Sequence, residues 1–163
     1  MADPFRLKVL KALTTVLQGI TPANGYEHDM SKSVFRGRIK YGKNDPLPMI
    51  SILEAPIPLE VIRTAREYEM SSGPWELLIQ GFIDDDLDNP SDPAHHLMAE
   101  VKAVLVKNKR ADRGNNILGM GGRVVEMTIG QGSVRPSDEA SDKGFFWLTL
   151  TIRIVENLEE PYE

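Results

Sequence analysis

Cysteine is absent from the 163 residues, which excludes disulfides, thiolate metal sites and cysteine nucleophiles and leaves stability to packing. Long hydrophobic runs are absent too, since no apolar stretch approaches the roughly 20 residues that a membrane-spanning helix needs. Met1 to Arg6 carries an aspartate and lacks the basic-then-apolar order of a signal peptide, so a soluble protein, intracellular when made, is expected. An excess of positive charge is also missing. The formal net charge of −5 argues against a protein whose main task is neutralising nucleic-acid phosphates, while local basic patches stay compatible with it. No serine stands in a nucleophile elbow. Gly119, Gly121 and Gly122 lead into a strand rather than opening a helix, which is the context of a tight turn and not of a phosphate loop.

What the chain does have is one strong strand. From Lys143 to Val155, the residues Phe146, Leu148, Leu150, Ile152 and Ile154 put large apolar side chains on alternate positions without a miss. The intervening Phe145, Trp147, Thr149, Thr151, Arg153 and Val155 also suit a pleated sheet, so this strand is expected at the centre. Its first face needs a helical lid, and two amphipathic helices supply one. Phe5, Val9, Leu13, Val16 and Leu17 form the stripe of the first, announced by Asp3-Pro4 and stopped at Gly19. Ala94, Leu97, Met98, Val101, Val104 and Leu105 form the stripe of the second, announced by Asp92-Pro93. The aromatic-bearing second face has no evident lid, which hints at a partner chain.

The remaining strands are weaker. A short strand from Val34 to about Lys40 joins another from Pro48 to Glu54 through the turn composition of Gly42, Asn44 and Asp45, which reads as a hairpin. Residues 55–73 read as a long, poorly patterned loop. Trp75 to Ile83 is a further strand, and Arg123 to Ile129 another, with Gly130 and Gly132 placed to bend it and let pairing continue to Val134. Residues 156–163 read as a loose acidic tail. The expectation is a single α+β domain over residues 1–163, with a mixed, mainly antiparallel sheet of about five strands and both helices on one face. If the strands on either side of the second helix run parallel, that helix is their crossover.

Two clusters invite chemistry. Asp84, Asp85, Asp86 and Asp88 beside His95 and His96 are the only place where metal or acid-base catalysis can be argued, because carboxylate and imidazole are the usual ligands of catalytic divalent ions. Their spacing matches no calcium loop, and a strand end followed by a helix N-terminus welcomes negative charge on structural grounds alone. Arg36, Arg38, Lys40 and Lys43 form a basic stripe that suits phosphate, or a solvated strand edge guarded by charge.

Several motifs taken together resemble the tail terminator proteins, also described as minor tail or tail completion proteins, of long flexible-tailed bacteriophages. They are Asp3-Pro4-Phe5-Arg6, Thr21-Pro22-Ala23-Asn24-Gly25-Tyr26, Phe35-Arg36-Gly37-Arg38 and the stretch from Asp45 to Glu54. Trp75 to Phe82, Asn89-Pro90-Ser91-Asp92-Pro93-Ala94-His95 and Phe146-Trp147-Leu148 continue the match in order and spacing. The resemblance implies an assembly protein rather than an enzyme, with no catalytic residues, metal or other cofactor. It implies a homo-oligomer, a six-membered ring, that caps the tail tube protein at the head-proximal end of the virion tail after assembly in the host cytoplasm. The ring would join the head-completion or neck protein and let DNA pass through its hole, without contact to membrane. On that basis Phe145, Trp147, Arg36, Arg38, Leu59, Ile62 and Arg66 are expected at the contact between copies. Arg110, Arg113 and Lys43 are expected against tube or neck, and Asp84, Asp85, Asp86 and Asp88 toward the lumen. The competing readings are a head-to-tail connector ring and, from another class, a metal-dependent phosphoryl-transfer enzyme using Asp84, Asp86 and His96, which magnesium-dependent DNA cleavage lost on replacing Asp84 would single out.

Overall fold

A computed structural model describes residues 1–55, 70–138 and 142–163, with side chains from residue 73 onward in the second of these segments. The expected Leu59, Ile62 and Arg66 contacts, and most of the loop expected over 55–73, therefore lie outside the described residues. The fold is α+β: helix α1 (Phe5–Gln18), strands β1 (Val34–Arg36), β2 (Met49–Glu54) and β3 (Met70–Ile83), helix α2 (Asp92–Arg110), then β4 (Val124–Ile129), β5 (Ser133–Arg135) and β6 (Gly144–Asn157). The six strands form one sheet in the order β1-β2-β3-β6-β4, with β5 also pairing β6.

The strand from Lys143 to Val155 is central, as its alternation predicts. β6 pairs antiparallel with β3 from Met70↔Asn157 to Ile83↔Gly144, and its other edge is shared by β4 (Thr128↔Thr151) and β5 (Val134↔Phe146). Gly130 and Gly132 make the step between β4 and β5. Gly132 sits at φ +80°, and a Cβ on Gly130 would lie 2.2 Å from Thr149 Oγ1, so the chain can press against β6 there only without side chains. β3 and β4 both run antiparallel to β6 and so parallel to each other. α2 is their crossover, with β6 inserted between them.

Both helices cover one face. Phe5, Val9, Leu13 and Leu17 of α1 and Ala94, Leu97, Val101 and Leu105 of α2 share a single buried core with Leu77 and Ile79 of β3 and all five alternating residues of β6. At about 1.5–3 kcal/mol for each large apolar side chain removed from water, this layer is the main source of stability. Gly81 belongs to the same face, opposite Phe146, whose ring fills the space a side chain at 81 would take.

Several local expectations are corrected. β1 and β2 are not a hairpin: they pair parallel, Val34↔Ile50 to Arg36↔Ile52. Gly37, at φ +77°, turns the chain off the sheet directly after Arg36, so β1 stops well short of Lys40 and residues 37–48 loop back to enter β2 from the same end. β3 begins at Met70 rather than Trp75. Pro74 fits there because the even-numbered residues of β3 direct their backbone groups away from β6, as Glu76 does in accepting the Ala55 amide at 3.3 Å, so its missing N–H takes no bond from the β3–β6 ladder.

Neither aspartate-proline pair caps as expected. α1 starts at Phe5 with no side-chain cap, Asp3 turns to Lys11 Nζ at 2.7 Å, and the Phe5 amide donates instead to the Pro161 carbonyl at 2.8 Å. Asp92 is the first residue of α2 rather than its cap. The C-terminal tail touches the body of the subunit at several points. Besides Pro161, it offers the Tyr162 carbonyl to Lys8 and the Glu163 carbonyl to Arg123, whose guanidinium lies 3.7 Å over the Phe5 ring. At its root Glu156 pairs with Arg6 at 3.0 Å.

Candidate functional site: the second sheet face and the two ends of helix α2

On the second face of the sheet, the pairing aligns Leu53, Leu78 and Thr149 in one row, Glu76, Thr151 and Thr128 in the next, and Pro74, Arg153 and Glu126 beyond. No helix covers these rows among the described residues. The other end of the face is partly clad, contrary to expectation. Met49, Phe82 and Phe145 form a second small core closed by Phe35 of β1 and by Tyr41 and Leu47 of the loop between β1 and β2, and Phe145 is only 2% exposed. Phe145 is therefore packed inside its own chain and is not an exposed contact residue. Phe82 is buried with it, and Leu78 is only partly exposed.

Trp147 is different. It remains 42% exposed at the margin of this cluster, with its ring centroid 5.3 Å from that of Phe145 at an interplanar angle of 58°. Phe82 lies 6.4 Å beyond Phe145 and Tyr41 5.9 Å beyond Phe82, so four rings cross the face in series. Gln80 fixes the indole. With its amide turned to satisfy both neighbours, its oxygen accepts from Trp147 Nε1 at 3.0 Å and its nitrogen donates to the Ile39 carbonyl at 3.2 Å. An exposed tryptophan held by a hydrogen bond and a ring contact gives up little rotamer freedom when a surface closes on it.

The basic stripe divides. Arg36 turns to α1, donating to Thr14 Oγ1 at 2.8 Å. Arg38 pairs with Asp45 within its own loop and stacks 3.6 Å over Phe35. Each thus has a partner within the chain, yet both stay exposed, as a solvated strand edge is expected to be. Lys40 and Lys43 stay exposed on the loop. Arg38, Asp45 and the Tyr41 hydroxyl, which donates to the Asp45 carbonyl at 2.6 Å, hold the loop closed over the aromatic cluster.

The acidic turn after β3 is ordered by its own side chains. Asp86 Oδ1 accepts the amides of Asp88 at 2.9 Å and Asn89 at 2.8 Å, Asp84 pairs with Lys143 at 3.1 Å, and Asp85 accepts from Ser137. Among the described residues no three metal-ligating side chains converge, so Asp84, Asp86 and His96 are not brought together. Leu87, set among these carboxylates, is 97% exposed.

At the opposite end of α2 lies a cavity of about 550 Å³ lined by Lys109, Arg110, Arg113, Ile117, Val125 and Glu126. Arg110, the last residue of α2, and Arg113 just beyond it both line this cavity, whereas Lys43 is not among the lining residues. Lys107, Lys109 and Arg110 suit the C-terminal end of the helix dipole. Asp112 and Arg113 then adopt left-handed backbone, φ 50° and 55°, a conformation that costs a residue with a Cβ roughly 1–2 kcal/mol. Neither the Val125 and Ile117 lining nor Gln80 as the partner of Trp147 was legible from residue order alone. Leu87 was visible as a lone apolar residue among aspartates, and that contrast was the one available signal. No protein-family model matches the chain, and a search of curated proteins finds no match to it.

Proposed function

We propose that this chain is a structural subunit that joins copies of itself into a closed ring on the end of a long flexible phage tail tube, stops further tube growth and offers its other side to the head-completion proteins. The observation that carries the reading is a sheet that helices clad on one face only among the described residues, with Trp147 held ready on the other. The motif resemblance from Asp3-Pro4 to Phe146-Trp147-Leu148 gives that surface its context. Copies of one chain that meet through two different patches form a ring when the rotation closes. Arg110, Arg113 and Lys43 remain candidates for contact with tube or neck. In this reading the protein performs no chemical step, and DNA passes through the ring.

Light scattering coupled to size exclusion, paired with negative-stain images, tests the proposal. The expected result is a closed ring with a central hole, about six copies round, that blocks elongation when added to growing tail tubes. A chain that stays single at high concentration and leaves tube growth unchanged would refute it.

A further inference from the structure

A single exposed leucine is ordinary on a protein surface. Leu87 is informative because its surroundings have a counterpart elsewhere on the same molecule. The turn presents one fully projecting aliphatic side chain between Asp84, Asp85 and Asp86 on one side and Asp88 on the other. The cavity at the far end of α2 combines apolar lining from Ile117 and Val125 with three cations, Lys109, Arg110 and Arg113, against one carboxylate, Glu126. Val125 is itself 53% exposed, so apolar surface lies open beside the cations. An acidic knob with an apolar tip matches a basic-rimmed hole with an apolar lining in both charge and polarity.

One copy cannot fill its own hole. The turn precedes Asp92 and the cavity begins at Lys109, so the 19-residue α2 holds them about 27 Å apart. We propose that the Leu87 turn of one copy docks into the Lys109–Arg113 cavity of the next, as a head-to-tail contact repeated around the assembly. This rests on the ring reading above and names the surfaces that join. It places Asp84 to Asp88 at the contact between copies instead of the lumen. The Asp86 hydrogen bonds to the amides of Asp88 and Asn89 shape the turn in advance, so docking orders little new backbone.

Complementary variants test it. Leu87→Ser removes the tip, and its exposure means that little packing is lost within the subunit. Arg110→Glu with Arg113→Glu reverses the rim, and Arg113→Gly serves as a second cavity variant because φ 55° suits glycine. Each variant alone should self-associate at least about tenfold more weakly than the unaltered chain, by sedimentation velocity, with its circular dichroism unchanged. An equimolar mixture of the Leu87→Ser and Arg110→Glu/Arg113→Glu chains should form a one-to-one dimer and stop there, since each supplies one competent surface. Association of the unaltered chain should also weaken with added salt. Variants that assemble as the unaltered chain does, or a mixture that stays monomeric while the unaltered chain is oligomeric, would overturn this contact alone. An unaltered chain that is monomeric at high concentration would overturn the ring reading together with it.

Discussion

Replacing Gly81 by alanine adds one carbon where β3 presses on β6. That carbon would stand 2.1 Å from Phe146 Cε1, 2.6 Å from Cζ and 2.9 Å from Cδ1. Carbon atoms in contact settle about 3.5–4.0 Å apart, so the ring has to retreat by roughly 1.5 Å or the strands must part. Phe146 is fully buried among Leu148, Leu77 and the helical stripes, and an interior packed to crystal density leaves no such space. Overpacking of this kind costs about 3 kcal/mol, offset by about 0.5–1 kcal/mol from the smaller entropy of an unfolded chain carrying alanine. The net loss of about 2 kcal/mol corresponds to a urea midpoint lower by about 1 M at a slope near 2 kcal/mol/M, and to a melting temperature lower by about 4–8 °C. Phe146→Leu removes the crowded ring carbons, so Gly81→Ala in that background should cost little or nothing. If the two substitutions add to within about 0.5 kcal/mol, the close approach is not what makes glycine necessary, and the reasoning fails.

Trp147→Ala should leave the subunit folded while weakening assembly by about 2 kcal/mol, read as a roughly thirtyfold rise in the dissociation constant by sedimentation; an unchanged profile removes the indole from the contact. Truncation after Asn157 deprives the Phe5 amide, Lys8 and Arg123 of their carbonyl partners and should cost about 1–2 kcal/mol in urea unfolding, where a loose tail would cost nothing. Asp29 accepts from the Ser31 hydroxyl at 2.7 Å and amide at 3.0 Å, which hold its carboxyl below the ordinary 3.8. A depressed folded-state value means that its contribution is present above pH 3.8 and is lost as pH falls through the folded-state value; in Ser31→Ala the Asp29 titration, followed by carbon NMR, should move up toward 3.8.

The two helices and β6 were legible because each element carries its own periodicity: a stripe from Phe5 to Leu17, another from Ala94 to Leu105, and five alternating residues from Phe146 to Ile154. What could not be read depends on partners distant in sequence. The parallel pairing of β1 and β2 was hidden because Gly42, Asn44 and Asp45 have the composition of a hairpin turn whether or not the strands on either side meet as a hairpin; the deciding residue, Gly37, acts through a backbone angle. Phe145 looked bare because its cover, Tyr41 and Leu47, comes from that misread loop. β3 was read as starting only at Trp75 because Gly73 and Pro74 have turn composition, whereas the N–H that Pro74 lacks would face away from β6 and is not missed in that ladder. The acidic turn could be located in the sequence, but its counterpart at Lys109 to Val125 arises from a helix end, a turn and a strand edge that only the fold assembles.

The last strand made is the one in the middle. β3, β4 and β5 all lean on β6, whose first residue follows Ile83 by about sixty positions and whose last follows Met70 by almost ninety. A chain still growing on the ribosome can have both helices and every other strand outside the exit tunnel and yet own no continuous β-layer, only two separate edges waiting for the same insert. Closure of the sheet is therefore deferred until β6 has emerged, and a message cut short before Gly144 yields a product in which no β6 joins β3 to β4.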